Sequence, residues 1–153
     1  MHIISLKSFI FVITAVIGIA SSSAAISQDK ETENHVGIAV AASRDTLGPG
    51  AGAEILFTFS PKKGYHVNAV PPMAVKFDST SQARAGGKIV IPADSATGYL
   101  RTSVPVRQPF TLAKSAGRGR TELKGVLTYY YCSDAGGWCR KENLPFTVPV
   151  KVK

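Results

Sequence analysis

From residue 36 onward, apolar residues return at every second position in short runs, and no stretch repeats with a helical period. Residues 54–59 put Ile55, Phe57 and Phe59 on one side and Glu54 and Thr58 on the other. Val75 and Phe77 share a side, with Lys76 and Asp78 opposite. The final run is the clearest: Phe146, Val148, Val150 and Val152 alternate with Thr147, Pro149, Lys151 and Lys153. Alternation of period two marks a strand with one buried face. Further β-type runs lie at 36–42, 88–91, 102–107, 110–114 and 123–132, parted by Gly, Pro, Asp and Ser. About eight short strands and no helix predict an all-β domain, an immunoglobulin-like antiparallel β-sandwich over residues 35–153. Phe57, Phe77, Leu127 and Val148 are expected to face its core. Val-Pro-Val occurs at 104–106 and again at 148–150. Proline has no N–H to give to a ladder, so both copies are expected at sheet edges or strand ends.

Ahead of this domain the pattern is different. Lys7 precedes an apolar run from Phe9 to Ala20, and Ser21 to Ala25 are all small. This is the layout of a cleaved signal peptide over residues 1–25, with Ser23 and Ala25 at the two cleavage-site positions. The apolar run is shorter than the ~20 residues a membrane span needs. Residues 26–34 are polar and read as a flexible leader. The mature chain is therefore expected in the periplasm or secreted, with no membrane span.

Charge changes the picture little. Lys and Arg total 18 against 10 Asp and Glu, a formal charge of +8. Such a balance suits nucleic acid in the cytosol, but export argues against that partner. The basic residues are scattered, apart from Lys114, Arg118, Arg120 and Lys124, which are expected to decorate a solvated hairpin around Gly117 and Gly119. The glycine-rich segment 48–52 lacks the Lys-Ser/Thr ending of a phosphate cradle, and no helix follows it.

The two cysteines, Cys132 and Cys139, stand six residues apart between two expected strands. An exported pair is normally oxidised. Gly136 and Gly137 supply the backbone freedom of a turn, so the pair is expected to face across a hairpin mouth. One reading is an inert staple, worth about 2.5 kcal/mol for so short a loop. The other is a redox-active bridge, since exposed bridges are the reducible ones. Strand parity sends Leu123, Leu127, Tyr129 and Tyr131 to an apolar face. It places Cys132 with Lys124, Thr128 and Tyr130 on the more polar, more accessible one. Arg140 and Lys141 follow Cys139 and favour its thiolate, whereas Asp134 opposes that of Cys132.

Other chemistry is thin. His66 with two thiolates would make a zinc or copper(I) ligand set. An oxidising compartment disfavours free thiolates, so neither metal nor cofactor is expected. His35 belongs to no pattern and is expected at the surface. No carboxylates pair for hydrolysis and no Gly-x-Ser-x-Gly elbow is present. Tyr129, Tyr130 and Tyr131 alternate between faces, which suits core packing plus one outer ring better than a stacking platform.

The stretch from Tyr131 to Cys139, the Val-rich last strand and the segment Gly64-Tyr65-His66-Val67-Asn68 together resemble the N-terminal periplasmic domain of the bacterial thiol:disulfide interchange protein DsbD. The resemblance covers roughly residues 53–152. It implies an immunoglobulin-like fold whose cysteine pair passes two electrons between thioredoxin-like oxidoreductases, exported or membrane-tethered. It further implies Cys139 as the exchanging sulfur and Cys132 as its resolving partner. Tyr99, Trp138, Tyr130 and His66 are then candidates for capping the pair or touching the partner. The cysteine spacing is one residue longer than is usual in that family. The cap loop is shortened between Pro92 and Arg101, with Tyr99 its one ring, and the transmembrane and thioredoxin-like modules of that protein are not expected in this chain. The alternative function is a non-catalytic β-sandwich binding module with a structural disulfide.

Overall fold

The computed structural model describes residues 34–153, so the expected signal peptide (1–25) and all but the last residue of the expected leader (26–34) lie outside the described residues. The described residues form nine strands and no helix. They are β1 (Val36–Ala42), β2 (Thr46–Leu47), β3 (Gly52–Pro61), β4 (Tyr65–Asn68), β5 (Ala74–Phe77), β6 (Ala83–Ala85), β7 (Val106–Leu112), β8 (Gly119–Ser133) and β9 (Trp138–Val152). Two sheets face each other. One runs β1-β3-β7-β6; the other runs β2-β9-β8-β4, with β5 also paired to β8. Every pairing is antiparallel except β2 with β9. This is the expected immunoglobulin-like sandwich.

The core lies where alternation sends the side chains. Ile55, Phe57 and Phe59 from β3 are 0%, 0% and 3% exposed. Leu123, Leu127, Tyr129 and Tyr131 face them from β8, and Phe146, Val148, Val150 and Val152 from β9. Phe57 meets the Phe146 ring edge-on at 5.4 Å, and Phe59 meets Tyr129 in the same way at 5.5 Å. Leu127 and Val148 are buried; Phe77 is half-buried, wedged against Phe110 and Phe146.

Prolines take the expected places. Pro105 directly precedes β7. Pro149 sits on β9, whose outer side is covered only where Thr46 and Leu47 meet Lys151 and Val152. Two strand expectations change. Residues 88–91 contribute one bridge, Val90 to Arg107, instead of a strand. Residues 102–107 and 110–114 resolve into the single strand β7, which runs through Pro109 because neighbouring β6 ends at Ala85. The basic cluster also differs: Lys114 and Arg118 lie on the connection that crosses from one sheet to the other. Arg120 and Lys124 lie on exposed positions of β8, Lys124 paired with Glu122 at 3.0 Å.

The strand that positions the site is broken. β4 pairs with Tyr130 to Ser133 of β8, and β5 with Gly125 to Thr128 of the same edge. Pro71 and Pro72 interrupt the ladder between them. On the far side of β4 the chain returns at residues 98–100, where the Leu100 amide donates to the Val67 carbonyl and Tyr99 bridges to Asn68.

Two core tyrosines carry a pH consequence. Burial, and then Glu142 opposite, raise the Tyr129 phenol from 10.0 to about 12. Burial raises Tyr131 as well. A raised folded pKa means stability is fully present below the unfolded phenol value and is lost as pH climbs through the folded one. Stability is therefore expected to fall between pH 10 and about 12. Urea midpoints measured across that window should fall less steeply for Tyr129→Phe than for the wild type; parallel slopes would remove Tyr129 as the cause.

Candidate functional site

The β8–β9 hairpin is the longest pairing among the described residues, and the cysteines close its mouth. Cys132 and Cys139 are directly opposite each other, one step before the terminal Ser133–Trp138 pair. They are joined as a disulfide, with Cα atoms 4.0 Å apart. The turn beyond them is built on its glycines. Gly137 has φ +60, which a side chain would strain. At Gly136 a Cβ would come within 2.4 Å of the Trp138 Nε1, because the indole folds back over the turn. Ser133 Oγ accepts from the Gly136 amide at 3.0 Å, and the Asp134 amide reaches the Gly64 carbonyl at 2.9 Å, tying the turn to the start of β4.

The two sulfurs have unequal surroundings. Parity sends Cys132 to the outer face of its sheet, as expected, yet the residue is only 5% exposed. The expectation of an accessible Cys132 therefore fails. β4 lies against that edge of β8 and places His66 directly across from Cys132. Asn68 Nδ2 donates to the Cys132 Sγ at 3.0 Å. Cys139, on the other strand, is exposed.

His66 is held on two sides. Its ring stacks on Tyr99 with centroids 3.8 Å apart and planes 18° from parallel. Its Nδ1 lies 2.5 Å from Asp134 Oδ1 in the hairpin turn. A carboxylate only accepts, so Nδ1 carries the proton of that bond. The result is a shallow groove in which His66, Asn68, Tyr99, Asp134 and Trp138 surround both cysteines.

The charges near the pair are arranged differently from their order in the chain. Arg140 lies opposite Tyr131, on the inner side of β9, and its guanidinium sits 4.6 Å from the Trp138 ring centre. It is engaged by that cation–π contact and by the Tyr131 phenol, on the side of the strand opposite to Cys139. Lys141, two residues after Cys139, shares its side of the strand. Asp134 faces His66 and not the Cys132 sulfur.

Of the residues singled out in the sequence, Cys132, Cys139, His66, Tyr99 and Trp138 come together in the groove. Tyr130 shares the outer face but sits one row along, opposite Asn68 on one side and Lys141 on the other. His35 is not an isolated surface residue. It is half-buried and stacks on Tyr65 at 4.1 Å, beside Tyr131 and Trp138. Asn68 carries no sign in the sequence of being a sulfur neighbour. Its role follows from β4 pairing with β8, and a four-residue strand carries too little pattern to announce its partner.

Among the described residues, no helix is long and apolar enough to cross a membrane. No protein-family model matches the chain, and no curated protein matches its sequence. Among solved structures, the chain is similar to the sixth cohesin of Acetivibrio cellulolyticus scaffoldin B, solved in complex with a Cel5 dockerin. There the identity is 14% over 76% of this chain and 99% of that one, with a TM-score of 0.37. It is also similar to the N-terminal domain of Neisseria meningitidis DsbD in its reduced form, at 20% identity over 78% of this chain and 89% of that one, with a TM-score of 0.42.

Proposed function

We propose that the protein is an exported thiol:disulfide interchange domain whose Cys132–Cys139 pair exchanges electrons with a thioredoxin-like partner. Residues 1–25 serve as its signal peptide and are removed, residues 26–34 form a leader, and the sandwich works in the periplasm or outside the cell. The observation that carries this reading is the asymmetry of the bridge: Cys139 is exposed, while Cys132 is 5% exposed beneath β4. Only one sulfur is open to attack, and the other leaves into a prepared setting.

The reduction of the bridge runs in two displacements. A partner thiolate attacks Cys139 Sγ; the partner–Cys139 bond forms and the Cys132–Cys139 bond breaks. Cys132 leaves as a thiolate. The partner's second thiolate then attacks the partner sulfur of the mixed disulfide and releases Cys139. The partner ends as a disulfide and this protein as a dithiol, two electrons having moved. The reverse sequence oxidises the pair. Trp138, Tyr99 and His66 rim the exposed sulfur and form the contact surface, with Tyr130 and Lys141 at its margin.

The test is the reduction potential of the Cys132–Cys139 pair, measured by equilibration with glutathione or thioredoxin buffers. A working pair is expected above about −300 mV, the level below which structural bridges lie. A lower potential would support the alternative, a binding module stapled by an inert disulfide.

A further inference from the structure

We infer that His66, oriented by Asp134, is the proton donor and acceptor for the Cys132 sulfur during exchange. This inference rests on the interchange reading above and adds to it the group that handles the proton. A thiolate released in a half-enclosed setting is costly unless it is neutralised or hydrogen-bonded. Cys132 is released in such a setting, and β4 presents it with two polar groups. Asn68 already donates to its sulfur at 3.0 Å. His66 stands across the ladder from it, where side chains of a directly opposed pair have Cβ atoms about 5 Å apart.

The His66 ring is fixed for this work. Asp134 takes the Nδ1 proton at 2.5 Å, and Tyr99 covers one ring face at 3.8 Å. Nδ1 is committed to the carboxylate, so Nε2 is the ring nitrogen that exchanges a proton. Histidine is the side chain that changes charge near neutral pH, as such a role requires. In the reducing direction, the imidazolium gives its Nε2 proton to the departing Cys132 thiolate, leaving a thiol and a neutral imidazole. In the oxidising direction, the neutral imidazole takes the Cys132 proton, and the resulting thiolate attacks the mixed disulfide at Cys139 and expels the partner thiolate. The other ionisable groups around the ring are few. Tyr99 comes from the 98–100 segment, Tyr130 from β8 and Lys141 from β9; Asp94 and Arg101 lie in the loop that carries Tyr99 and attract each other.

The test is the pH profile of reduction of the oxidised protein by dithiothreitol, with each rate divided by the concentration of attacking thiolate. The wild type should show one inflection, the rate constant falling as the imidazolium loses its proton. His66→Gln should abolish the inflection and lower the acid-side rate constant by about tenfold, modest beside the ~10²–10⁴ typical of a placed acid because a thiolate is a good leaving group. Asp134→Asn, on an exposed turn, should keep the fold and lower the acid-side rate constant, because the ring loses the carboxylate that orients it. A role confined to packing leaves the inflection in place in His66→Gln. An inflection retained in His66→Gln, or a flat wild-type profile, would overturn the proton role while exchange itself stands. A wild-type bridge that resists dithiothreitol throughout would overturn the interchange reading, and the proton role with it.

Discussion

Cys132→Ser is expected to accumulate mixed disulfides with an exported thioredoxin-like oxidoreductase, and Cys139→Ser to accumulate few. The reason is positional. In Cys132→Ser the remaining thiol is the exposed Cys139. It can enter a mixed disulfide, but the sulfur that would resolve it from within is gone. In Cys139→Ser the remaining thiol is Cys132, 5% exposed and covered by His66 and Asn68 of β4. Thiol exchange depends on access to the sulfur as well as on its ionisation. Trapping should differ by about tenfold or more, since reactivity follows the exposed thiolate. Non-reducing electrophoresis after acid quenching, with both variants side by side, reads the result. Equal trapping would refute the division of labour. No trapping from either, joined to a potential below about −300 mV, would leave the bridge as a staple.

The support for this asymmetry shifts between sequence and structure. In the sequence it rests on Arg140 and Lys141 beside Cys139 and on Asp134 near Cys132. Folding turns Arg140 onto Trp138 and Asp134 onto His66. Charges adjacent along a strand alternate between its faces, so sequence neighbours are poor guides to which group a charge serves. Cross-strand neighbours are better ones. The residue opposite Cys132 is His66, 66 positions earlier in the chain, and no local pattern links the two.

The same contrast explains which parts of the fold are legible in advance. β3, β8 and β9 are long and bury one face, so Ile55, Phe57, Leu127 and Val148 declare themselves by period two. β2, β4 and β6 have two to four residues, too short for a period to register. β4 is among these, and it is the strand that covers Cys132. The hairpin with its cysteines is therefore readable from the chain, while the shielding of one sulfur depends on which short strand docks beside it. His35 shows the limit from another side. Its stacking on Tyr65 joins the start of β1 to the start of β4, a tertiary contact with no local signature.

The groove depends on the sandwich beneath it, and the largest stability effect is expected at Phe57. This ring is 0% exposed at the centre of β3, between Val40 of β1 and Val106 of β7. It crosses the layer to meet Phe146 edge-on at 5.4 Å. Phe146 also touches Phe77 at 6.1 Å and closes over Gly125, where an added Cβ would lie 2.7 Å from its Cζ. Truncating Phe57 removes its transfer free energy and leaves a void that Phe146 cannot fill without uncovering Gly125 and Phe77. Phe57→Ala is expected to cost about 4 kcal/mol, within the ~3–5 kcal/mol typical of buried aromatics whose site cannot fully collapse. A domain of this size holds about 5–15 kcal/mol in all, so the oxidised variant should unfold at a much lower urea concentration. The dependence on urea should keep its slope, since the surface exposed on unfolding is nearly unchanged. Val40→Ala, on the half-buried outer strand of the same sheet, should lose about 1 kcal/mol, near the typical value for a point substitution. A Phe57→Ala loss no larger than that of Val40→Ala would show that the aromatic contacts across the two sheets do not hold the sandwich together.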